Sequence, residues 1–159
     1  MASLQTARSF LFAPGSEERK LVRALGSGAD AVVADLEDAV APAEKAAARD
    51  LTTRLVAETE SNAARLVRVN GVGTEWHDAD VAAAGASSAD GIVLPKATAA
   101  DVAAVSDRVD LPIVAIVETA AGLREAFAIA SHRSVRALML GAVDLGLQLG
   151  LEPRDDGHE

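Results

Sequence analysis

The chain has 159 residues, half of them apolar, with three Phe, one Trp, no Tyr and a formal net charge of −9. So high an apolar content excludes a disordered chain, and the acidic balance disfavours nucleic acid and anionic membranes as partners. The absence of cysteine excludes disulfides, a thiol nucleophile and a zinc–thiolate site.

With few aromatics, the core must be Ala, Val, Leu and Ile, which suits helices packed closely on a parallel sheet. The length predicts one domain. The opening stretch MASLQTARSFLFAPG holds a short apolar run broken by Arg8 and Ser9, unlike a secretory leader. No run reaches the ~18 apolar residues of a membrane span. A soluble, cytoplasmic protein is the expectation.

Six short apolar runs are predicted strands, at residues 9–13, 31–34, 66–69, 91–94, 113–117 and 135–140. Each is separated from the next by room for one helix and two short loops. Helical spacing of apolar residues predicts helices over 17–26, 43–59, 76–84, 99–109 and 120–130. Ser16 is the expected N-cap of the first, and Gly26 its stop. No hairpin turn joins consecutive runs, so the alternation predicts a parallel α/β sheet with helical crossovers. Gly28–Val33 (GADAVV) and Ser88–Val93 (SADGIV) resemble each other as similar helix-to-strand loops, not as a domain repeat. The polar end, 152–159, is expected to fray.

Five of the six runs carry an ionisable residue within or just beyond their carboxyl end. Parallel strands bring those ends to one side of the sheet, where catalytic groups concentrate; scattered loop polarity is the plainer alternative. Glu118 and Asp144 follow adjacent strands and are hard oxygen donors. With no Cys and no suitably placed His, they suit Mg2+, whose remaining positions water and substrate fill. Each alone reads equally as a solvated loop acid.

Arg68 lies inside a strand run, where an unpaired charge is costly to bury. It either pairs with Asp35 or Glu37, or holds a substrate carboxylate or carbonyl. Asp35, Glu37 and Asp38 crowd three acids into four residues, which calls for nearby cations, although a helix N-terminus would explain Asp38. Lys96 is expected to pair with Glu37 or Asp144 rather than form a Schiff base. His77, His132 and His158 lack ligand spacing and are read as structural or surface residues. Gly71-Val72-Gly73 lacks the third glycine of a dinucleotide fingerprint, and there is no P-loop.

The ordered motifs resemble those of the citrate lyase β-subunit-like proteins of the HpcH/HpaI aldolase family. They are Arg8-Ser9-Phe10-Leu11-Phe12-Ala13-Pro14-Gly15, Asp35-Leu36-Glu37-Asp38-Ala39-Val40, and Lys45 with Ala48-Arg49. Arg68-Val69-Asn70, Leu94-Pro95-Lys96, Glu118-Thr119-Ala120-Ala121-Gly122, and Gly141 with Asp144-Leu145 follow.

The resemblance implies a TIM barrel that binds Mg2+ and makes or breaks a carbon–carbon bond in 3-hydroxyacyl thioesters of coenzyme A or a carrier protein, such as citryl or malyl. It implies Glu118 and Asp144 as metal ligands, Arg68 holding the oxo-acid or substrate carboxylate, and Asp35 and Glu37 supporting the metal's waters and Arg68. Arg8, Gly141 and Lys96 are implied on the substrate side. It also implies a homo-oligomer.

An aldolase of free hydroxy-oxo acids, a thioesterase-like variant, a non-catalytic subunit and an open flavodoxin-like sheet are the alternatives. Such a barrel has eight βα units, and six are counted here. The expectation is one partial barrel domain over 1–159, from a truncated or partly ordered chain.

Overall fold

The computed structural model describes residues 4 and 6–152. The expected fraying of 152–159 falls almost wholly outside them; Glu152 is exposed. Along the chain run β1 (Phe10–Pro14), α1 (Glu18–Leu25), β2 (Ala31–Asp35), α2 (Lys45–Glu58) and β3 (Ala64–Arg68). Then come α3 (His77–Ala86), β4 (Gly91–Leu94), α4 (Ala99–Ser106), β5 (Ile113–Val117), α5 (Ala120–Ala130), β6 (Val135–Leu140) and α6 (Ala142–Leu149). A 3-10 turn, Pro42–Glu44, leads into α2.

All six strands are parallel, in the spatial order β1-β2-β3-β4-β5-β6. That order never reverses, so there is no switch point of the doubly wound kind, and the flavodoxin-like alternative is ruled out. The helices lie on one face. Val32, Ala34, Val67, Ile92, Leu94, Ile113 and Ala115 pack with helix residues such as Leu21, Val56, Val81, Val102 and Ile129. The alternate strand residues Ala31, Val33, Ala64, Leu66, Val93, Val114 and Ile116 form a separate cluster without helices. A parallel sheet wound in one direction, with helices outside and an apolar layer inside, is barrel architecture.

The expected element boundaries differ in small, explicable ways. Glu17, not Ser16, is the N-cap of α1, and its side chain makes no cap hydrogen bond. β3 starts two residues earlier than expected, because Ala64 pairs with Ala31 in the β2–β3 ladder. α5 has the expected bounds; the Thr119 hydroxyl accepts from Gly122 N at its start. Thr98 and Asp101 form a capping box that begins α4. The helix α6 was not foreseen; the chain after β6 reads in sequence as a loop carrying Asp144. No helix of the described residues is long and apolar enough to cross a membrane.

Candidate active site

The period-2 alternation of a strand decides which charged side chains meet. The inner-face series are Ala31, Val33, Asp35 on β2; Ala64, Leu66, Arg68 on β3; and Val114, Ile116, Glu118 at the end of β5. Three apolar strands thus each deliver a charged residue to one face at the carboxyl end. Ladder register places Asp35 directly beside Arg68.

Arg68 and Asp35 form a two-pronged ion pair. Nε donates to Oδ1 at 2.7 Å and a terminal nitrogen donates to Oδ2 at 2.5 Å. The other terminal nitrogen lies 3.1 Å from Glu37 Oε2 and 3.6 Å from Asp38 Oδ2. The Phe12 ring lies under the guanidinium, 5.3 Å from its central carbon. Burial opposes the Arg68 charge, but the hydrogen bonds and charge of Asp35, with Glu37 and Asp38, outweigh it and raise the Arg68 pKa. The alternatives for Arg68 resolve toward acid pairing, and a second role toward an anionic ligand remains compatible with it.

Lys96 joins the remaining acids. Its Nζ lies 2.9 Å from Glu37 Oε1, 3.3 Å from Asp144 Oδ2 and 3.9 Å from Glu118 Oε1. Its backbone N–H donates to Glu118 Oε1 at 2.7 Å. Both contacts come from one residue held at φ +51°, a left-handed conformation that side-chain-bearing residues rarely adopt. Burial opposes the ammonium charge, yet the Glu37 hydrogen bond and the Glu37 and Glu118 charges drive the Lys96 pKa above its ordinary value. Lys96 is therefore a cation at this site, against a Schiff-base role.

Burial pushes the Glu37 carboxyl up, with Lys96 and Arg68 pulling it back. Burial likewise raises Glu118, against the Lys96 amide and ammonium. Glu37 Oε2 is buried and accepts no hydrogen bond; its contact with Arg68 is an ion pair without hydrogen-bond alignment. Gly141 sits against Glu118: a Cβ there would lie 2.5 Å from both Glu118 Cβ and Oε2. Only glycine permits that approach. Asp144 stands in the first turn of α6.

The structure thus gathers Asp35, Glu37, Arg68, Lys96, Glu118, Gly141 and Asp144. Arg8 is the exception. It precedes β1, at the opposite end of the sheet. Its side chain is 88% exposed, with Nε 3.6 Å from Asp30, and the Asp30 carboxylate also accepts from the Arg8 and Ser9 amides. Arg8 is not brought to the others, because the residue ahead of a parallel strand lies at the amino end, away from the site.

Sequence reasoning placed Lys45 and Asn70 only as motif residues and read His77 as structural or surface, and did not foresee that they join a buried polar group behind the site. Lys45, Asn70, His77 and Asp80 are all buried. Asn70 Nδ2 donates to Leu36 O and Asp80 Oδ2, Arg49 Nε donates to Asp80 Oδ1, and His77 Nδ1 meets Asn70 O. Burial lowers the Lys45 pKa, opposed by the charges of Asp35, Asp80, Glu37 and Asp38. A signal did exist: Lys45 shares a helix face with Ala48, Thr52 and Val56, the face α2 buries. A cleft of about 550 Å³ opens between the acid loop and this group, lined by Glu37, Lys45, Asn70, Trp76 and Lys96 among others. His132 is half-buried, its Nδ1 accepting from Ser134 N; His158 lies outside the described residues.

Among known proteins, the profile of the HpcH/HpaI aldolase/citrate lyase family matches residues 8–159. A (3S)-malyl-CoA thioesterase of Cereibacter sphaeroides is 45% identical over 152 residues, covering 94% of this chain and 53% of that protein. An L-malyl-CoA/beta-methylmalyl-CoA lyase of the same species is 33% identical over 162 residues, covering 91% and 51%. The chain spans about half the length of the curated relatives it matches. Among solved structures, protein CitE of Mycobacterium tuberculosis in complex with magnesium, acetoacetate and coenzyme A superposes with a TM-score of 0.82. Identity is 33%, over 96% of this chain and 56% of that one. With the family profile running through every candidate site residue from Arg8 to Asp144, the chain belongs to the HpcH/HpaI aldolase/citrate lyase family.

Proposed function

We propose that the protein is a Mg2+-dependent carbon–carbon lyase. It cleaves, or forms, a 3-hydroxyacyl thioester of malyl or citryl type, giving an oxo acid and an acyl thioester. The observation that carries this reading is the convergence of Glu37, Glu118 and Asp144 on one ammonium, beside an Arg68 locked by Asp35. The donor set fits Mg2+. Among the described residues no three His, Cys, Asp or Glu side chains form a cage, and Mg2+ takes one or two carboxylates plus water and substrate oxygens. Glu118 and Asp144 would hold it, and the buried Oε2 of Glu37, which accepts no hydrogen bond, would accept from a neighbouring water.

When bound, Mg2+ supplies Lewis-acid polarisation of the oxo-acid oxygens. Arg68 neutralises the oxo-acid carboxylate, with Asp35 fixing the guanidinium plane. Glu37, whose carboxyl is raised by burial, stands between Arg68 and Lys96 and is the group placed to hold or pass a proton. Lys96 balances the acids and orients Glu118 through its backbone N–H. Solved neighbours titled with magnesium, acetoacetate and coenzyme A support the ligand class. A cytoplasmic homo-oligomer completes the proposal. The cysteine-free composition supports the location.

A second reading is hydrolysis of the same thioester. The relatives named (3S)-malyl-CoA thioesterase are 45–46% identical, against 33% for the L-malyl-CoA/beta-methylmalyl-CoA lyase and 35% for the citrate lyase subunit beta-like protein. Malyl-CoA and Mg2+ separate the two readings in the protein at its natural full length. A lyase yields glyoxylate and acetyl-CoA with no free thiol; a hydrolase yields malate and one free thiol. Neither product would sink both. Retention of Mg2+ binding by Glu118→Gln, measured by titration calorimetry, would overturn the metal assignment.

A further inference from the structure

Lys45 opens α2, and an ammonium at a helix N-terminus opposes the helix dipole. It is also 5% exposed, and burying a charge is costly. Its ammonium has three N–H groups, and each meets a neutral oxygen: Leu36 O at 2.6 Å, Glu37 O at 2.6 Å and Asn70 Oδ1 at 2.7 Å. Those two carbonyls belong to the peptide groups on either side of the Glu37 Cα. One side chain therefore grips both peptides whose orientation sets the Glu37 backbone angles. Asp35 Oδ1 adds a third hold by accepting from Glu37 N at 2.8 Å. Lys45 is itself fixed. Asn70, which accepts from it, is anchored to Leu36 O and to Asp80, and Asp80 is anchored to Arg49. The Trp76 ring covers the ammonium at 5.2 Å.

We propose that Lys45 is a positioning residue of the site: by clamping the two peptides flanking Glu37, it aims the carboxylate that bridges Arg68 and Lys96. The role rests on the reading of Glu37 and Arg68 as site residues. It differs from simple stabilisation because it acts through one side chain, Glu37, and so must be lost when that side chain is neutralised.

The test uses Lys45→Met, Glu37→Gln and the double variant in the full-length protein. Amide exchange is expected to accelerate about tenfold or more in Lys45→Met at Glu37, Ala39 and Val40, whose N–H groups bond within the clamped loop, while β5 amides keep their rates. Unchanged exchange at the three loop amides overturns the clamp. With malyl-CoA, kcat is expected to fall about tenfold to a hundredfold in Lys45→Met, the usual range for partners that orient a ligand. The double variant should be no slower than Glu37→Gln alone. Factors that multiply instead would show Lys45 acting independently of Glu37 and overturn the positioning role. Should Lys45→Met fail to fold, Lys45→Gln is read in the same two ways. No turnover by the parent would count against the lyase reading only, since the exchange rates decide the clamp without it.

Discussion

β5, IVAIV, is buried at every position, whereas its neighbour β6, VRALML, alternates half-buried and exposed residues. Both are apolar strands with the same inner-face parity, Val114 and Ile116 beside Ala137 and Met139. The difference is position. β5 has a strand on each side; β6 and β1 have one. Around β6 the helices share this exposure: Phe127, Val143 and Leu147 are among the most exposed large apolar residues. Apolar sequence alone therefore does not predict burial here. Neighbours do: Asp35, Arg68 and Glu118 end or follow strands paired on both sides, whereas Asp144 follows the edge strand and its side chain is 42% exposed.

The contrast should be sharpest at the ion pair. Asp35→Ala removes the buried partner of a half-buried Arg68 and leaves Glu37 and Asp38 beside it, and the loss in unfolding free energy is expected to reach at most about 3–5 kcal/mol. Urea denaturation reads it, and a loss below about 1 kcal/mol would mean Arg68 reaches solvent. Next, Leu66→Ala on the inner face should lose about 2–5 kcal/mol, while Leu147→Ala on the exposed edge stays within about 0.5 kcal/mol. Similar losses at the two positions would erase the comparison.

Gly141→Ala tests where the open edge meets the site. Its Cβ would displace Glu118, so Mg2+ affinity by calorimetry should drop about tenfold or more, as when a ligand's support is lost, with a loss of about 1–3 kcal/mol in unfolding from overpacking.

The smallest effect is pH-dependent. Burial raises the Glu37 and Glu118 carboxyls from about 4.5, so the folded state holds these protons more tightly than the unfolded state. Stability from this source falls as pH rises through the window above 4.5 and levels off once both are ionised. In metal-free protein, Glu118→Gln should therefore gain on the parent as pH rises across that window. A relative loss would reverse the sign of the shift.

Much of this was legible. The βα alternation predicted a parallel sheet. The two-residue step from Val33 to Asp35, Leu66 to Arg68 and Ile116 to Glu118 carried the site's shared face. Other parts depended on partners remote in sequence. Lys45 and Asn70, 25 residues apart, share no periodic pattern. The left-handed turn at Lys96 follows Pro95, which gives no signal for positive φ. α6 was obscured because glycines at 141 and 146 weaken a helical pattern. Arg8 misled because motif proximity to β1 says nothing about which end of the sheet a side chain occupies.

The positive φ of Lys96 sets stability against function at a single residue. Glycine there would relax the backbone by about 1 kcal/mol, and Lys96→Gly would also remove the ammonium shared by Glu37, Glu118 and Asp144. The three acids would then repel one another unless a divalent cation took over their balance. Such a variant should melt lower than the parent without Mg2+ and regain much of the difference when Mg2+ is added. A melt unaffected by Mg2+ would show that the acids are not held together by a shared cation. The chain thus carries a strained, charged residue where a relaxed one would suit the backbone, and the ammonium shared among the acids is what offsets that strain.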